Sequence, residues 1–335
     1  MWYFYFVLPM LLLCELNMAK IAILLNIFFL FQCGFCKKSV KVNKSPIIGI
    51  LSQEILFRNQ ELFPASSHFI AASYVKAVES SGAKVVPVVI NKPESYYRNI
   101  MNSVNGLVLP GGATFPGDGN PYYDSVKIVY KIAKELNDNG TTFPILGVCL
   151  GYEFLLIVAN NENNILKRCN VSHENLPITF ESPYFQSTLF SRLSIRQAHT
   201  LQYLNSTVNF HRWCAHKSDF HNSNLNQEWK ITSTSTSLKN TEFIASVEHK
   251  KYPFFAVQFH PEKVSFEWNP DHNIPHSEPI VLALANRYFY DQLIYYAKKN
   301  SNKFSSIDEE NNSLIYNYFP RFTASVTSYL QMYVF

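Results

Sequence analysis

A cysteine set between two glycines has the spacing of a catalytic elbow. The apolar run over residues 143–148 ends at Cys149, Gly147 and Gly151 flank it, and a helical pattern follows at once. This is the strand–turn–helix context of a nucleophile elbow, written G-x-C-x-G. The turn predicts the sulfur at the N-terminus of a helix, where the helix dipole favours the thiolate. The alternative interpretation is a buried core cysteine near a strand end.

A histidine and a glutamate follow a second apolar strand far downstream. Residues 256–259 read as a buried strand, and His260-Pro-Glu262 comes directly after it. Imidazole can take the proton of a thiol and return it to a leaving group near neutral pH. A carboxylate two residues on can hold the ring in one tautomer. The pattern therefore predicts Cys149, His260 and Glu262 as a catalytic triad, although His-Pro-Glu alone is ordinary loop chemistry.

A third apolar strand, residues 106–109, ends in Pro110-Gly111-Gly112. Adjacent glycines allow the backbone to approach a substrate and to point an N–H group at it. We expect the N–H of Gly112 and that of Leu150 to form an oxyanion hole. A plain strand-to-loop turn is the alternative.

These motifs together resemble the gamma-glutamyl hydrolase family within the class I glutamine amidotransferase-like superfamily. The resemblance covers roughly residues 46–335, and the stretches that carry it are 46–53, 70–87, 109–113, 149–153, 209–213, 252–263 and 313–335. It implies a cysteine hydrolase that cleaves gamma-glutamyl amide bonds of folate or antifolate poly-gamma-glutamates through a thioester. It implies no cofactor and no metal, and it leaves a homodimer open.

Three further site residues follow from the resemblance. True glutamine amidotransferases carry Gln where this chain has Glu153, which could meet the alpha-ammonium of a gamma-linked glutamyl unit or hold the oxyanion loop. A helix N-terminal glutamate favoured by the dipole is an equal alternative. His211 matches a family histidine in a predicted loop before Trp213, and Gly111 is a candidate substrate contact.

The N-terminus is interpreted as a targeting segment. Residues 1–36 are predicted to be a signal peptide, with Met18 as a second candidate start and cleavage near residues 34–37. An uncleaved signal anchor is the alternative. Secretory routing predicts a secreted or lysosomal protein without stable membrane association after cleavage. It also makes five sequons meaningful, with Asn139 the best and Asn43 the poorest: Asn43, Asn139, Asn170, Asn205 and Asn311.

The cysteine count agrees with a catalytic thiol. Cys14 and Cys33 leave with the leader, and Cys36 lies at the predicted cleavage region. The mature chain then holds Cys149, Cys169 and Cys214, an odd set in an oxidising compartment. One must stay free, and the elbow cysteine is the natural candidate. A disulfide between Cys169 and Cys214 is left open, and no ligand spacing indicates a metal.

Alternating short apolar strands and amphipathic helices predict a three-layer α/β fold with a mostly parallel sheet covered on both faces. Strands are expected at residues 47–51, 84–90, 106–109 and 143–148, with Ile70, Tyr74, Ala77 and Val78 on a helix that Gly82 ends. A hairpin over 243–259 and a closing helix over 280–297 complete one catalytic domain, residues 43–335. In such sheets the site forms at the C-terminal strand ends.

Two alternative functions share part of these features. A glutaminase-type amidotransferase would be cytosolic and would need a synthetase partner, which the leader and Glu153 oppose. A secreted glycoprotein with vestigial catalytic residues is opposed by the presence of Cys149, His260 and Glu262. A net charge of only +4, with no basic cluster among aromatics, indicates no nucleic-acid partner.

Overall fold

A computed structural model describes residues 42–55, 63, 67–117, 119–181, 183–268 and 279–335. The chain from Val42 to Phe335 forms a compact unit. The predicted signal peptide, residues 1–36, lies outside the described residues. Within the described part of the chain, no helix is long and apolar enough to cross a membrane.

The strands, numbered in chain order, are β1 Ile47–Leu51, β2 Gln53–Glu54, β3 His68–Ala71, β4 Lys84–Val88, β5 Gly106–Leu109, β6 Ile145–Val148, β7 Lys167–Leu176, β8 Thr179–Phe180, β9 Thr207–Cys214, β10 Trp229–Thr236, β11 Glu242–His249, β12 Phe254–Val257, β13 Arg321–Phe322 and β14 Gln331–Val334. The α-helices are α1 Ala72–Ser80, α2 Glu94–Ser103, α3 Pro121–Asp138, α4 Leu150–Ala159, α5 Ile195–Tyr203, α6 Lys217–His221, α7 Leu225–Glu228, α8 Lys263–Phe266, α9 Pro279–Ala297 and α10 Ile307–Ser313.

The central sheet has eight strands in the order β4-β1-β5-β6-β12-β11-β10-β8. The pairings from β4 through β12 are parallel, and those from β12 to β8 are antiparallel. Two smaller antiparallel sheets, β13-β14-β3-β2 and β7-β9, complete the strands. The mostly parallel sheet that the sequence predicts is therefore confirmed.

Successive side chains of the central strands enter two separate cores. Along β1, Ile47 and Leu51 join one apolar cluster with residues of α2, α3 and α4. Ile48 and Ile50 point to the other face and join a cluster with residues of α1 and α9. Because both faces are covered by helices, the strands are fully buried and apolar throughout. This confirms the three-layer α/β architecture.

Element boundaries differ from the predictions in several places. The strand predicted over residues 143–148 begins at Ile145, and the one predicted over residues 256–259 spans Phe254–Val257. Ile70, predicted to lie on a helix, belongs to β3, which pairs with β14 near the C-terminus; a partner so distant in sequence could not be read from local periodicity. The strand predicted over residues 84–90 ends at Val88. Gly82 follows α1 at a φ of +87° and ends it as expected. The hairpin β11–β12 and the closing helix α9 are also confirmed.

Candidate active site

Cys149 occupies a strained turn between β6 and α4. Its φ of 50° and ψ of −104° lie outside the ordinary regions for a residue with a side chain. The flanking glycines are sterically required: a Cβ on Gly151 would lie 2.0 Å from the carbonyl oxygen of Leu109, and one on Gly147 would lie 3.0 Å from that of Gly151. The predicted elbow geometry is thus present, with the thiol free and buried.

His260 and Glu262 form a buried pair after β12. Nδ1 of His260 lies 2.7 Å from Oε1 of Glu262, and both side chains are almost inaccessible. Because Nδ1 is held by the carboxylate, Nε2 is the nitrogen left to exchange a proton with a nucleophile. Burial favours the neutral form of the Glu262 carboxyl. The attraction to His260 and the hydrogen bond between the two side chains outweigh burial, so that the pKa of Glu262 is lowered.

The cysteine and the histidine converge because their strands are neighbours. β5, β6 and β12 lie side by side and run parallel, so their C-terminal ends share one edge of the sheet. A Cβ built on Gly111, just after β5, would lie 2.6 Å from Cε1 of His260 and 3.0 Å from Cβ of Cys149. Residues 111, 149 and 260 therefore meet at one place.

The site faces a cavity of about 960 Å³. Cys149, His260 and both oxyanion candidates, Gly112 and Leu150, line this cavity. The other lining residues come from the loop after β5, from α4, β7, β9 and α8, and from the C-terminal segment: Ala113, Thr114, Phe115, Glu153, Asn170, Ser172, His173, Phe210, His211, Arg212, Trp213, Lys263, Ser328 and Tyr329. A cavity of this size admits an extended, flexible substrate.

The environment of the thiol differs from the sequence-based expectation. The N–H of Leu150, at the N-terminus of α4, does favour the thiolate, as does Lys263. Burial is the larger influence, and the nearby carboxylates of Glu153 and Glu262 act with it, so that the pKa of the Cys149 thiol lies well above its usual range. The helix dipole alone therefore does not ionise the thiol, and Cys149 needs His260 to take its proton.

Glu153 lies one turn along α4 from the nucleophile. Its backbone N–H donates to the carbonyl of Cys149 at 2.9 Å, and its side chain lines the cavity while being only 5% exposed. Oε1 accepts a hydrogen bond from Nε2 of Gln258 at 3.0 Å. Burial raises the pKa of Glu153 to about 8, against the smaller lowering effect of that hydrogen bond. The carboxyl is therefore neutral near pH 7, which argues against its expected role as a negative partner for an ammonium group.

His211 lies within strand β9 and not in the predicted loop. It is buried, with Nε2 3.2 Å from Oδ1 of Asn209 and Nδ1 3.1 Å from the carbonyl of Trp213. Burial lowers the pKa of His211 to about 3. Its ring touches the cavity but is held by these partners, which favours a structural role in the cavity wall.

Cys169 and Cys214 are joined in a disulfide that links β7 to β9, with a Cα–Cα distance of 5.9 Å. The bond answers the question that the sequence left open and leaves Cys149 as the free thiol among the described residues. Nδ1 of His211 approaches both sulfurs, at 3.7 Å and 3.6 Å. The two sulfurs and this nitrogen are a metal-type ligand group, but here the sulfurs are bonded to each other.

Lys263 is a cavity residue that the sequence reasoning did not single out. It follows Glu262 at the start of α8, is only 4% exposed and lines the cavity. Its Nζ lies 5.4 Å from the ring centroid of Phe210 and 5.2 Å from that of Tyr329. The signal for Lys263 was its place in the stretch 252–263 that carries the family resemblance.

Both backbone polar groups of Gly111 have hydrogen-bond partners within the protein, and its contact with the substrate stays a prediction. Its N–H donates to the hydroxyl of Tyr74 at 2.8 Å, and that hydroxyl also lies 3.3 Å from Nδ1 of His260. Gly111 does not line the cavity, whereas Gly112 does. Tyr74 is thus a second residue that the sequence reasoning did not assign to the site.

The sequons differ in exposure. Asn139, Asn170, Asn205 and Asn311 are exposed. Asn43 is only partly exposed, and its Nδ2 donates to Oδ1 of Asn105 at 3.2 Å and to the carbonyl of Asn300 at 3.3 Å. The acceptor nitrogen of Asn43 is therefore occupied within the fold.

A mostly parallel α/β sheet with a cysteine elbow and a His–Glu pair at neighbouring strand ends has the arrangement of a cysteine hydrolase. The Peptidase C26 family matches residues 46–262. The gamma-glutamyl hydrolase of Mus musculus is 36% identical, over 95% of this chain and 100% of the mouse protein. Those of Rattus norvegicus and Homo sapiens are 37% and 33% identical over the same shares.

Among solved structures, a glutamine amidotransferase from Methylobacillus flagellatus covers 78% of this chain and 97% of its own, at 10% identity and a TM-score of 0.48. The chain belongs to the Peptidase C26 family and, within it, to the gamma-glutamyl hydrolases.

Proposed function

We propose that this protein hydrolyses the gamma-glutamyl amide bonds of folate and antifolate poly-gamma-glutamates through a thioester on Cys149. The observation that carries the proposal is the free thiol on its elbow beside the His260–Glu262 pair. Full-length similarity to proteins named gamma-glutamyl hydrolase supports the substrate class.

In the first half-reaction, Nε2 of His260 takes the proton of the Cys149 thiol and the sulfur attacks the gamma-carbonyl carbon. A carbon–sulfur bond forms, and the carbonyl oxygen becomes an oxyanion that the N–H groups of Leu150 and Gly112 stabilise. The imidazolium then gives its proton to the departing nitrogen, the carbon–nitrogen bond breaks, and a thioester remains.

In the second half-reaction, His260 takes a proton from water, whose oxygen attacks the thioester carbon. The carbon–sulfur bond breaks, and the thiol recovers its proton from the imidazolium. Glu262 holds Nδ1 of His260 and stabilises the imidazolium at both stages.

Substrate recognition rests on the free alpha-carboxylates of a gamma-linked chain. Each gamma-linked glutamate keeps its alpha-carboxylate, whereas the alpha-nitrogen of every internal residue is tied up in an amide. Lys263 supplies a buried positive charge in the cavity for such a carboxylate. A neutral Glu153 can donate a hydrogen bond to the substrate in place of the electrostatic contact expected from the sequence.

The proposal includes passage through the secretory pathway, to a secreted or lysosomal destination. It is supported by the apolar leader and by the exposed sequons at Asn139, Asn205 and Asn311. The disulfide between Cys169 and Cys214 is also typical of an oxidising compartment.

The test is incubation of the purified mature chain with matched tetraglutamyl peptides in gamma and alpha linkage, each on a pteroyl group, with products read by mass. Only the gamma-linked peptide should be cleaved, because an alpha-linked unit leaves the buried charges of the site unmatched. Rates within about threefold on the two isomers would refute the substrate assignment. Ammonia release from free glutamine would instead favour a glutaminase, and no turnover of any of these would favour a non-catalytic glycoprotein.

A further inference from the structure

Gln53 is a buried side chain close to the catalytic loop that the proposed mechanism does not use. It is the first residue of β2, at the end of the stretch 46–53, is only 6% exposed, and lines a small neighbouring cavity but not the catalytic one. Its Nε2 donates to the carbonyl of Gly111 at 2.6 Å and approaches that of Pro110 at 3.4 Å. A side-chain amide is thus directed at the backbone that precedes the expected oxyanion donor.

Two tyrosines complete the hold on this loop. The hydroxyl of Tyr74 accepts the N–H of Gly111 at 2.8 Å, and that of Tyr122 donates to the carbonyl of Pro110 at 2.7 Å. Together with Gln53, they satisfy the carbonyl of Pro110 and both backbone polar groups of Gly111. For the N–H of Gly112, by contrast, the described residues provide no hydrogen-bond acceptor.

The planarity of the peptide bond connects these observations to catalysis. In a trans peptide the C=O of one residue and the N–H of the next point in opposite directions. The carbonyl oxygen of Gly111 points toward the amide of the buried Gln53. The N–H of Gly112, on the other side of the same peptide bond, therefore points away from Gln53, and Gly112 lines the catalytic cavity.

The contact between Gln53 and Gly112 is also close in space. A Cβ built on Gly112 would lie 2.5 Å from Nε2 and 2.8 Å from Oε1 of Gln53. The amide therefore packs directly against the Cα of Gly112, and a side chain at this position would displace the amide of Gln53.

We propose that Gln53 is a positioning residue of the oxyanion hole: its hydrogen bond to Gly111 fixes the peptide plane that aims the Gly112 N–H at the developing oxyanion. In this role Gln53 acts through the backbone of Gly111 and Gly112 and not by contact with the substrate. The inference rests on the proposed thioester mechanism. It gives a role to a polar residue of the stretch 46–53, one of the stretches that carry the family resemblance. A hydrogen-bond donor that is already oriented before the reaction stabilises the transition state most, because no free energy is spent on turning it toward the oxyanion.

The test compares Gln53→Leu with Gln292→Leu. Gln292 is a matched control, because it is a buried glutamine whose Nε2 also donates to a backbone carbonyl, that of Thr188 at 2.5 Å, and it does not line the cavity. We measure kcat and KM on a gamma-linked chain, and separately the rate at which iodoacetamide alkylates Cys149. Alkylation needs the thiol and its base but forms no oxyanion.

Gln53→Leu should lower kcat by about 10- to 100-fold, since loss of one oxyanion donor outright costs about 100- to 1,000-fold. KM and the alkylation rate should stay within about threefold of wild type, as should every value for Gln292→Leu. If kcat is unchanged, or if kcat and alkylation fall together, the positioning role is wrong. Should Gln53→Leu not fold, Gln53→Glu keeps the shape and loses the donor when ionised, and the same readouts apply to it.

Failure of this inference is distinguishable from failure of the proposed function. A wild-type enzyme that does not cleave gamma-linked chains overturns the proposed function and, with it, the oxyanion role of Gln53. A wild-type enzyme that cleaves them while Gln53→Leu keeps full kcat overturns the positioning role alone.

Discussion

Replacement of Glu153 by glutamine should change how stability depends on pH. Glu153 is buried beside the nucleophile, and its side-chain partner is the neutral amide of Gln258. Its pKa of about 8 in the folded state exceeds the ordinary value of 4.5. Between these values the folded protein holds a proton that the unfolded chain has lost, so stability falls as the pH rises through this interval.

The size of the effect follows from the shift. One pKa unit corresponds to about 1.4 kcal/mol, so ionisation of Glu153 should cost the folded state roughly 5 kcal/mol by the time pH 8 is reached. From pH 5 to pH 8 the change should be roughly 3 to 4 kcal/mol. A glutamine at position 153 does not titrate and can still accept the hydrogen bond from Gln258. The stability of Glu153→Gln relative to wild type should therefore rise by that amount between the two pH values.

The assay is urea unfolding of both proteins at pH 5 and pH 8, followed by tryptophan fluorescence. Glu135→Gln is the control, because a hydrogen bond from Arg98, which stays charged throughout, lowers the pKa of Glu135, so that its stabilisation is present above pH 4.5 and lost as the pH falls further. It should therefore show no comparable change between pH 5 and pH 8. A relative change below about 1 kcal/mol for Glu153→Gln would refute the reasoning about its burial.

Catalytic activity at alkaline pH should also depend on the ionisation of Glu153. An ionised Glu153 adds a negative charge near Cys149 and raises the pKa of the thiol further. The other charged groups near this thiol are Glu262 and Lys263, with His260 as its base. Wild-type kcat/KM should therefore decline above about pH 8, and Glu153→Gln should keep its activity further into the alkaline range. An identical alkaline limb in both proteins would contradict this account.

Four further predictions test other parts of the site. Cys149→Ala should fold normally and lose activity by several powers of ten, and retention of more than a few per cent of turnover would exclude the thioester mechanism. Lys263→Met should raise KM for gamma-linked chains about tenfold or more, as expected for a lost charge–carboxylate contact, and should also slow alkylation of the thiol, since Lys263 favours the thiolate. Cys214→Ala opens a disulfide with a sequence separation of 45 and should cost about 4 kcal/mol of stability in urea unfolding, with kcat largely kept. Asn139→Gln should remove one glycan from protein made in a eukaryotic secretory host, seen as a mass decrease, and no decrease would show that this exposed sequon is unused.

Much of the candidate site could be predicted from the sequence, because its arrangement depends on residues that are close together in the chain. The glycines on either side of Cys149 indicate an elbow, since only glycine fits that close to Leu109 and to the following helix. His260-Pro-Glu262 predicts an imidazole held by a carboxylate within one turn of chain. Apolar strands alternating with amphipathic helices predict a parallel sheet, and the C-terminal strand ends of such a sheet share one edge. The fold class, the candidate nucleophile and the candidate base therefore followed from pattern and spacing.

The tertiary structure decided what depends on partners far along the chain. Whether Cys169 bonds to Cys214 required the pairing of β7 with β9, and the strand at Ile70 required β14. Gln53 and Tyr74 could be assigned to the loop at Gly111 only once the sheet had brought them together. The high pKa of Cys149 and the neutral Glu153 likewise arise from burial. Desolvation depends on all the residues that pack around a group in the folded protein, and a short sequence motif does not include those residues.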